Sequence, residues 1–356
     1  MEFPAEGSKL VRSMIFVAFL FIVVIGLKML AYMVTILAVS VILTMLALPA
    51  VNLLRRKGLP DILSVTILTV IAILLILMLV GLTALSFGVL VRDLPLYQAE
   101  LTGKLAGISA TLSSYGFNPG SALTSINLEA IVGIVLSSFA SLADALLYIF
   151  FIAVTTFFML LEAPRISARA NRIFSSRSEQ FARISRMSNY MIDFMVVRTE
   201  TNLVHGVLFG GVLALMGVHA ALLWGILTFV LAYIPYIGLI IAAIPAIFFA
   251  WLQFGVWGVV AVVALVCVLN LVVENPVFSY FASRTFEIPA LVVIVSVIFW
   301  GWILGIAGLV FAVPITLMVL IVVQSSDELS WINTVLGVDH LFTDEVKETS
   351  TGKEKG

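Results

Sequence analysis

The sequence predicts an all-α, polytopic membrane protein of about eight transmembrane helices, some interrupted by Pro or Gly, with one external helical insert. Three observations predict it. Of the 356 residues, 62% are hydrophobic and 11% charged, and the mean hydropathy is +1.20. Soluble proteins carry roughly a quarter charged residues, and a soluble fold of this chain would lack the polar surface to cover itself. A span needs about 20 apolar residues, and apolar stretches recur at 13–30, 31–53, 61–91, 141–162, 199–217, 220–251, 257–276 and 288–323. Finally, fifteen of the 19 Lys and Arg residues fall on one side of an eight-span arrangement, and only Lys28, Arg92, Lys104 and Arg284 on the other. Positive charge collects in cytoplasmic loops. The expectation is therefore a multi-pass protein of the inner (cytoplasmic) membrane, both termini cytoplasmic and residues 93–140 outside.

Residues 1–92 read as three transmembrane helices. The first follows Lys9 and Arg12 and has no small-x-small cleavage pattern before the next span, so it reads as a retained helix. The loop Arg55-Arg-Lys-Gly-Leu-Pro60-Asp61 joins a basic cluster to a turn, and Asp61 is expected to cap the third helix. In the insert at 93–140, Leu94, Tyr97, Leu101, Leu105, Ile108 and Leu112 recur at spacings of three and four, an amphipathic helix. Tyr115-Gly-Phe-Asn-Pro119-Gly breaks it, and Asn127 with Glu129 marks the start of the next helix. The insert reads as an external hairpin, with a lid or a lipid-surface element as the alternative.

A fourth span at 141–163 ends at Glu162-Ala-Pro164, where an Arg-rich cytoplasmic amphipathic helix over 164–198 is expected to begin with Pro in its first turn. Arg165, Arg169 and Arg172 share a face suited to anionic membrane lipids rather than to nucleic acid. A four-span core with broken helices follows at 199–324. The tail at 325–356 is too polar to bury a core.

Enzymatic readings find no support. There is no His-Glu-x-x-His motif, no Gly-x-Ser-x-Gly elbow, no Gly-x-Gly-Asp motif and no nucleotide-binding Gly-rich loop. His205, His219 and His340 are scattered, so neither a metal nor a cofactor is expected. The single Cys267 cannot form an internal disulfide and reads as a packing residue in an apolar helix.

What remains is polar groups and breaks inside apolar helices. Thr201 and His205 stand four apart, with Asn202 beside them; Asn270 and Glu274 stand four apart, followed by Asn275 and Pro276. An ionisable group at membrane depth costs a few kcal/mol on insertion scales, so it pairs or faces water. Glu274 is either a proton- or cation-handling carboxylate or an exposed group at an outer helix end, and His205 either a hydrogen-bonded packing residue or a proton relay. Arg198 and Glu200 are expected to form an interfacial ion pair near the inner boundary. Pro235, Gly238 and Pro245 interrupt one apolar segment, and Gly301, Gly305, Gly308 and Pro314 another. Paired interrupted segments point to a midplane transport site, while Gly206-x-x-x-Gly210 and Gly301-x-x-x-Gly305 also suit close helix packing. The expected path residues are Asn202, His205, Pro235, Tyr236, Gly238, Asn270, Glu274, Asn275 and Gly305.

At these segments the chain resembles the autoinducer-2 exporter family of membrane transporters. The carrying residues are Arg198-Thr199, Leu223-Trp-Gly-Ile-Leu-Thr-Phe229, Ile234-Pro-Tyr-Ile-Gly238 with Ile244-Pro245, Asn275, and the stretch from Ser296 through Trp300-Gly-Trp302 and Gly305-Ile-Ala-Gly308 to Pro314-Ile-Thr316. The resemblance implies an eight-span transporter with cytoplasmic termini that assembles as a ring-like homo-oligomer, a pentamer. It implies export of a quorum-sensing furanone or sodium/proton antiport. The chain differs from the family's usual residues at Ala232 and Tyr236, where Asn is common, and at Glu274, where Gly is usual. The resulting expectation is a secondary transporter, an exporter or ion-coupled carrier, for a small polar solute such as a quorum-sensing signal. A monovalent cation/proton antiporter is the first alternative. A non-transporting scaffold, binding partners through the insert and the Arg-rich helix, is the alternative of another class.

Overall fold

Apolar runs of this length satisfy their backbone N–H and C=O groups internally by coiling into helices, and that is what the chain does. The computed structural model describes residues 9–116, 133, 142–173, 178–235, 237–276, 288–324 and 331–338. Every regular element among them is helical. In chain order they are α1 (Lys9–Met29), α2 (Ala31–Arg56), α3 (Asp61–Arg92), α4 (Leu94–Ser114), α5 (Leu142–Ile173), α6 (Ser178–Leu215), α7 (Ala221–Leu231), α8 (Gly238–Phe254) and α9 (Val256–Leu269). A widened turn, Asn270–Glu274, continues α9; α10 (Ala290–Leu304), α11 (Ile306–Val310), α12 (Ala312–Gln324) and α13 (Trp331–Val335) follow.

Among the described residues, four segments are long and apolar enough to cross a bilayer: Ala31–Arg56, Asp61–Arg92, Leu146–Ile166 and Val256–Glu274. Shorter apolar helices accompany them, Ala221–Leu231 and Gly238–Phe254 among them. The chain is a multi-pass membrane protein, and the helical reading of the sequence holds.

Several local expectations change. Asp61 does not cap α3: the N-cap is Pro60, and the Asp61 carboxylate forms an ion pair with Arg55, 3.0 Å from its Nε. Pro164 does not start a helix but lies inside α5, where Glu162 pairs with Arg165 at 3.2 Å and with Arg169 at 3.3 Å. The boundary expected at 198/199 lies within α6, which contains no proline and runs unbroken to Leu215. Cys267 is exposed rather than packed inside the fold. Of the α4 stripe, Tyr97, Leu101 and Leu105 are buried, while Ile108 is exposed. The expected helix start at Asn127 and Glu129 falls outside the described residues, as do Arg284 and the tail from 339 onward.

The apolar stretches 220–251 and 288–323 fold back on themselves. At 11 residues, α7 is only about 16 Å long, too short for a hydrocarbon core of about 30 Å. It descends beside α6, turns at 232–237 and returns as α8. A Cβ placed on Gly225 would lie 2.8 Å from Gly206 O and 3.0 Å from Gly210 Cα, so these glycines let α6 and α7 touch along their backbones. In the second hairpin Gly305, at φ +67, reverses the chain between α10 and α11. Gly308 then lies against the Trp300 carbonyl, and Trp300 Nε1 donates to Thr316 Oγ1 of α12 at 2.8 Å. Pro314 sits in the first turn of α12, where its absent N–H costs no helical bond.

Three core clusters fix the relative heights. Phe87, Leu90, Tyr97 and Leu101 pack with Phe209, Leu213, Trp224 and Phe249, seating α4 on the end of the α6–α9 bundle. Tyr190 and Met191 of α6 pack with Leu317 and Leu320 of α12. Ile42, about midway along α2, shares a cluster with Met195 of α6, Ile234 of the 232–237 turn and Trp300 of α10. The first hairpin's tip is therefore packed among α2, α6 and α10.

Candidate transport site

Three polar residues of α6 face inward beside this tip and the end of α9. Arg198, Asn202 and His205 are spaced four and three apart, one stripe of a helix. Asn202 is fully buried and His205 is 2% exposed. Groups buried this far from water need partners, and each finds one on the elements that α6 touches.

Arg198 has the most consequential ones. Its Nη1 donates to Glu274 Oε1 at 2.5 Å, and its Nη2 donates to the Ala232 carbonyl at 2.7 Å. Ala232 follows the last residue of α7, where helix carbonyls have lost their own donors. One guanidinium thus joins the tip of the first hairpin to the end of α9. The side chains are 11% and 32% exposed for Arg198 and Glu274. With its amide oriented to satisfy both ends, Asn202 donates to the Arg198 carbonyl at 3.2 Å and accepts from Tyr233 N–H at 3.1 Å. Tyr233 O–H in turn donates to Thr199 Oγ1 at 2.8 Å. The turn is therefore held to α6 at three successive points.

The α9 side is shaped by Pro276. Proline offers no N–H and its ring crowds the carbonyl one turn earlier. The chain relieves this by widening into a π turn, in which Asn275 N–H reaches Asn270 O. His205 Nε2 lies 3.3 Å from the Leu269 carbonyl at the start of that turn. A carbonyl only accepts, so Nε2 carries the hydrogen and Nδ1 keeps its lone pair. Nδ1 is buried and has no partner among the described residues; the same holds for Arg198 Nε and for Thr228 Oγ1 of α7.

Of the residues expected to form the path, Asn202, His205 and Glu274 are brought together, with Pro235 in the turn and Gly238 closing it through Gly238 N–H to Ile234 O at 3.0 Å. A Cβ on Gly238 would collide with the Leu231 carbonyl. Asn270 and Asn275 are exposed on the same end of α9. Gly305 turns the other hairpin, and Tyr236 lies outside the described residues. The expected pairing of Arg198 with Glu200 gives way to the longer-range one: Glu200 is exposed, and the guanidinium points to Glu274 and Ala232. Sequence reasoning left Arg198, Thr199 and Tyr233 out of the site. The spacing of Arg198, Asn202 and His205 was the available signal.

On the opposite side of α6 runs an apolar cavity of about 590 Å³, lined by Leu75 and Met78 of α3, Leu203 and Gly210 of α6, and Ile226 and Phe229 of α7. Thr199 reaches its edge, and the lining otherwise offers a polar solute nothing to bond. Among the described residues no cluster of His, Cys, Asp and Glu could hold a metal ion.

Residues 14–327 match the family described as AI-2E family transporter. The chain is 28% identical over 323 residues to the AI-2 transport protein TqsA of Escherichia coli (strain K12), covering 90% of this chain and 93% of that protein. It is 26% identical over 318 residues to the putative transport protein YhhT of the same organism, covering 89% and 91%. A putative transport protein of Haemophilus influenzae (strain ATCC 51907 / DSM 11121 / KW20 / Rd) is 28% identical over 335 residues, covering 92% and 96%. Matched along nearly its whole length by proteins of transport, this multi-pass chain belongs to the AI-2E transporter family.

Proposed function

We propose that this transporter is a secondary carrier that moves a small polar solute such as autoinducer-2 across the cytoplasmic membrane, with both termini in the cytoplasm. Residues 93–140 then stand outside, and copies of the chain assemble as a homo-oligomer, a pentamer by family likeness. The path runs beside the tip of the first hairpin. The observation that carries this reading is the Arg198 bridge between Glu274 and the Ala232 carbonyl. It ties the break between α7 and α8 to the widened end of α9, and discontinuous helices are where carriers bind their cargo.

A short hairpin held by one guanidinium, rather than by a greasy interface alone, can be released by whatever competes for Glu274. Protein carboxylates and carbonyls freed by helix breaks are the groups that bind monovalent cations and protons in carriers. That chemistry supports the second reading, monovalent cation/proton exchange, at the same residues.

The test is flux into proteoliposomes under an imposed proton or sodium gradient, with labelled autoinducer-2 as the solute and a pH or sodium dye as the ion readout. Flux of either kind above empty vesicles, reduced about tenfold or more by Glu274→Gln and lowered by Asn270→Ala, is the expected result. Equal flux in all three proteins contradicts this path. No flux of any kind from folded wild type favours a scaffold instead.

A further inference from the structure

Besides Arg198 Nε and Thr228 Oγ1, the charged junction leaves a basic nitrogen unpartnered among the described residues. His205 is 2% exposed and bonds through Nε2 to the Leu269 carbonyl, which leaves the Nδ1 lone pair buried and unpartnered among the described residues. Buried acceptors are nearly always satisfied, and an exception calls for a function. The apolar cavity does not count His205 among its lining residues, so Nδ1 is not offered to a cavity-bound solute. A proton needs no cavity, and imidazole is the side chain whose charge changes between about pH 5 and 8.

We propose that His205 is the protonatable switch of the junction: a proton added to Nδ1 makes it a cation that competes with Arg198 for Glu274 and so releases the hairpin tip. This rests on the transporter reading above and names what controls its site.

The geometry supplies the competition. Arg198 and His205 lie two turns apart on one face of α6, and both reach α9, the first at Glu274 and the second at Leu269. Side chains on a helix tilt toward its N-terminus, so the Glu274 carboxylate leans back toward the Leu269 end, where His205 sits. The charged and titratable groups around the imidazole are Glu274 on the α9 end, Arg198 on α6 itself, and Tyr233 at the turn after α7, whose hydroxyl is occupied by Thr199. Thr228 on α7 is uncharged. It lies between the contacts of Gly225 with Gly206 and of Tyr233 with Asn202, opposite this stretch of α6. Only Glu274 is negative. With the imidazole neutral, Arg198 holds the carboxylate alone, and the Ala232 carbonyl stays bonded. With the imidazole charged, two cations share one anion, and Arg198's hold on the tip weakens. Low pH therefore opens the junction and high pH closes it.

The experiment places a single thiol at the tip, Ala232→Cys, in a Cys267→Ser background of the full chain in lipid nanodiscs. Ala232 is 3% exposed, so a water-soluble thiol reagent reaches position 232 only when the tip lifts. The reagent's own pH dependence is corrected with a free thiol. The corrected labelling rate is expected to rise about tenfold from about pH 8 to about pH 5.5. In His205→Gln, whose amide keeps the donor to Leu269 but not the basic nitrogen, it should stay at the high-pH value throughout. In Glu274→Gln it should be high at both pH values. A pH-independent wild type overturns the proposal, and so does a His205→Gln protein that keeps the full pH response. Labelling is read without any solute. A carrier that moves solute but labels independently of pH sinks only this inference, whereas pH-gated labelling without flux sinks only the transport reading.

Discussion

Arg198 and Glu274 stand 76 positions apart in the chain and 2.5 Å apart in the fold. Two charges taken partly out of water repay their desolvation only through each other and through added hydrogen bonds, which is what the Ala232 carbonyl supplies. Deleting one partner strands the other. Arg198→Met is therefore expected to cost about 3 kcal/mol, measured as a fall in thermal stability in detergent. Adding Glu274→Gln to it should restore part of that loss, because the carboxylate left without its counter-charge is gone. Additive losses in the double variant would mean that the pair is not coupled. Asn202 works at the same scale through the backbone. Its amide joins the Arg198 carbonyl to Tyr233 N–H, so Asn202→Leu should destabilise the turn by about 1–3 kcal/mol, the cost of two buried groups left unmet.

Among the elements, the two hairpins are made of half-length helices, and glycine faces let them pack closely. Gly225→Val places a branched side chain where even a Cβ lies 2.8 Å from Gly206 O and 3.0 Å from Gly210 Cα. A loss of about 2–3 kcal/mol is expected from such overpacking. Gly211→Ala, one residue away with open space around it, should be close to neutral. Thermal unfolding of the two variants side by side checks the contrast, and equal effects would refute backbone contact between α6 and α7. On the far end, Tyr97 of α4 packs edge-on against Phe249 at a 5.0 Å ring separation and against His219 at 5.2 Å. Burial first, then the Asp93 and Glu100 carboxylates, push its phenol up to about 12. The folded state thus favours the neutral phenol. Its contribution is fully present below the ordinary value of 10.0 and is lost as pH rises through about 12. Tyr97→Phe should lower the number of late-ionising tyrosines in an ultraviolet titration by one without loosening α4.

For the whole molecule, the helical membrane architecture was legible because hydropathy and helix length act through composition alone: α2, α3, α5 and α9 lie where the apolar runs predicted them. The breaks at Pro235, Gly238, Gly305 and Gly308 were also readable. What they produce was not, since a proline or glycine says that a helix stops but not whether the next one continues onward or folds back. That depends on what Gly225, Gly238 and Gly308 meet in space. The site was half legible. Asn202, His205 and Glu274 carried the signal of polar groups in apolar helices, but Arg198 was assigned to a boundary because local charge patterning cannot reveal a partner 76 residues away. The widened turn after α9 escaped for the same reason: Pro276 was visible, the direction in which the helix yields to it was not.

In the proposed mechanism the Arg198–Glu274 bridge closes the hairpin tip on the transport path. The most direct test reverses the pair, Arg198→Glu with Glu274→Arg, and measures flux in proteoliposomes beside each single reversal. Either reversal alone, which sets two like charges facing one another, is expected to lower flux by about a hundredfold or more, and the double reversal to recover a substantial part of it. Wild-type flux in either folded single variant, or a folded double variant as inactive as the singles, would contradict this mechanism.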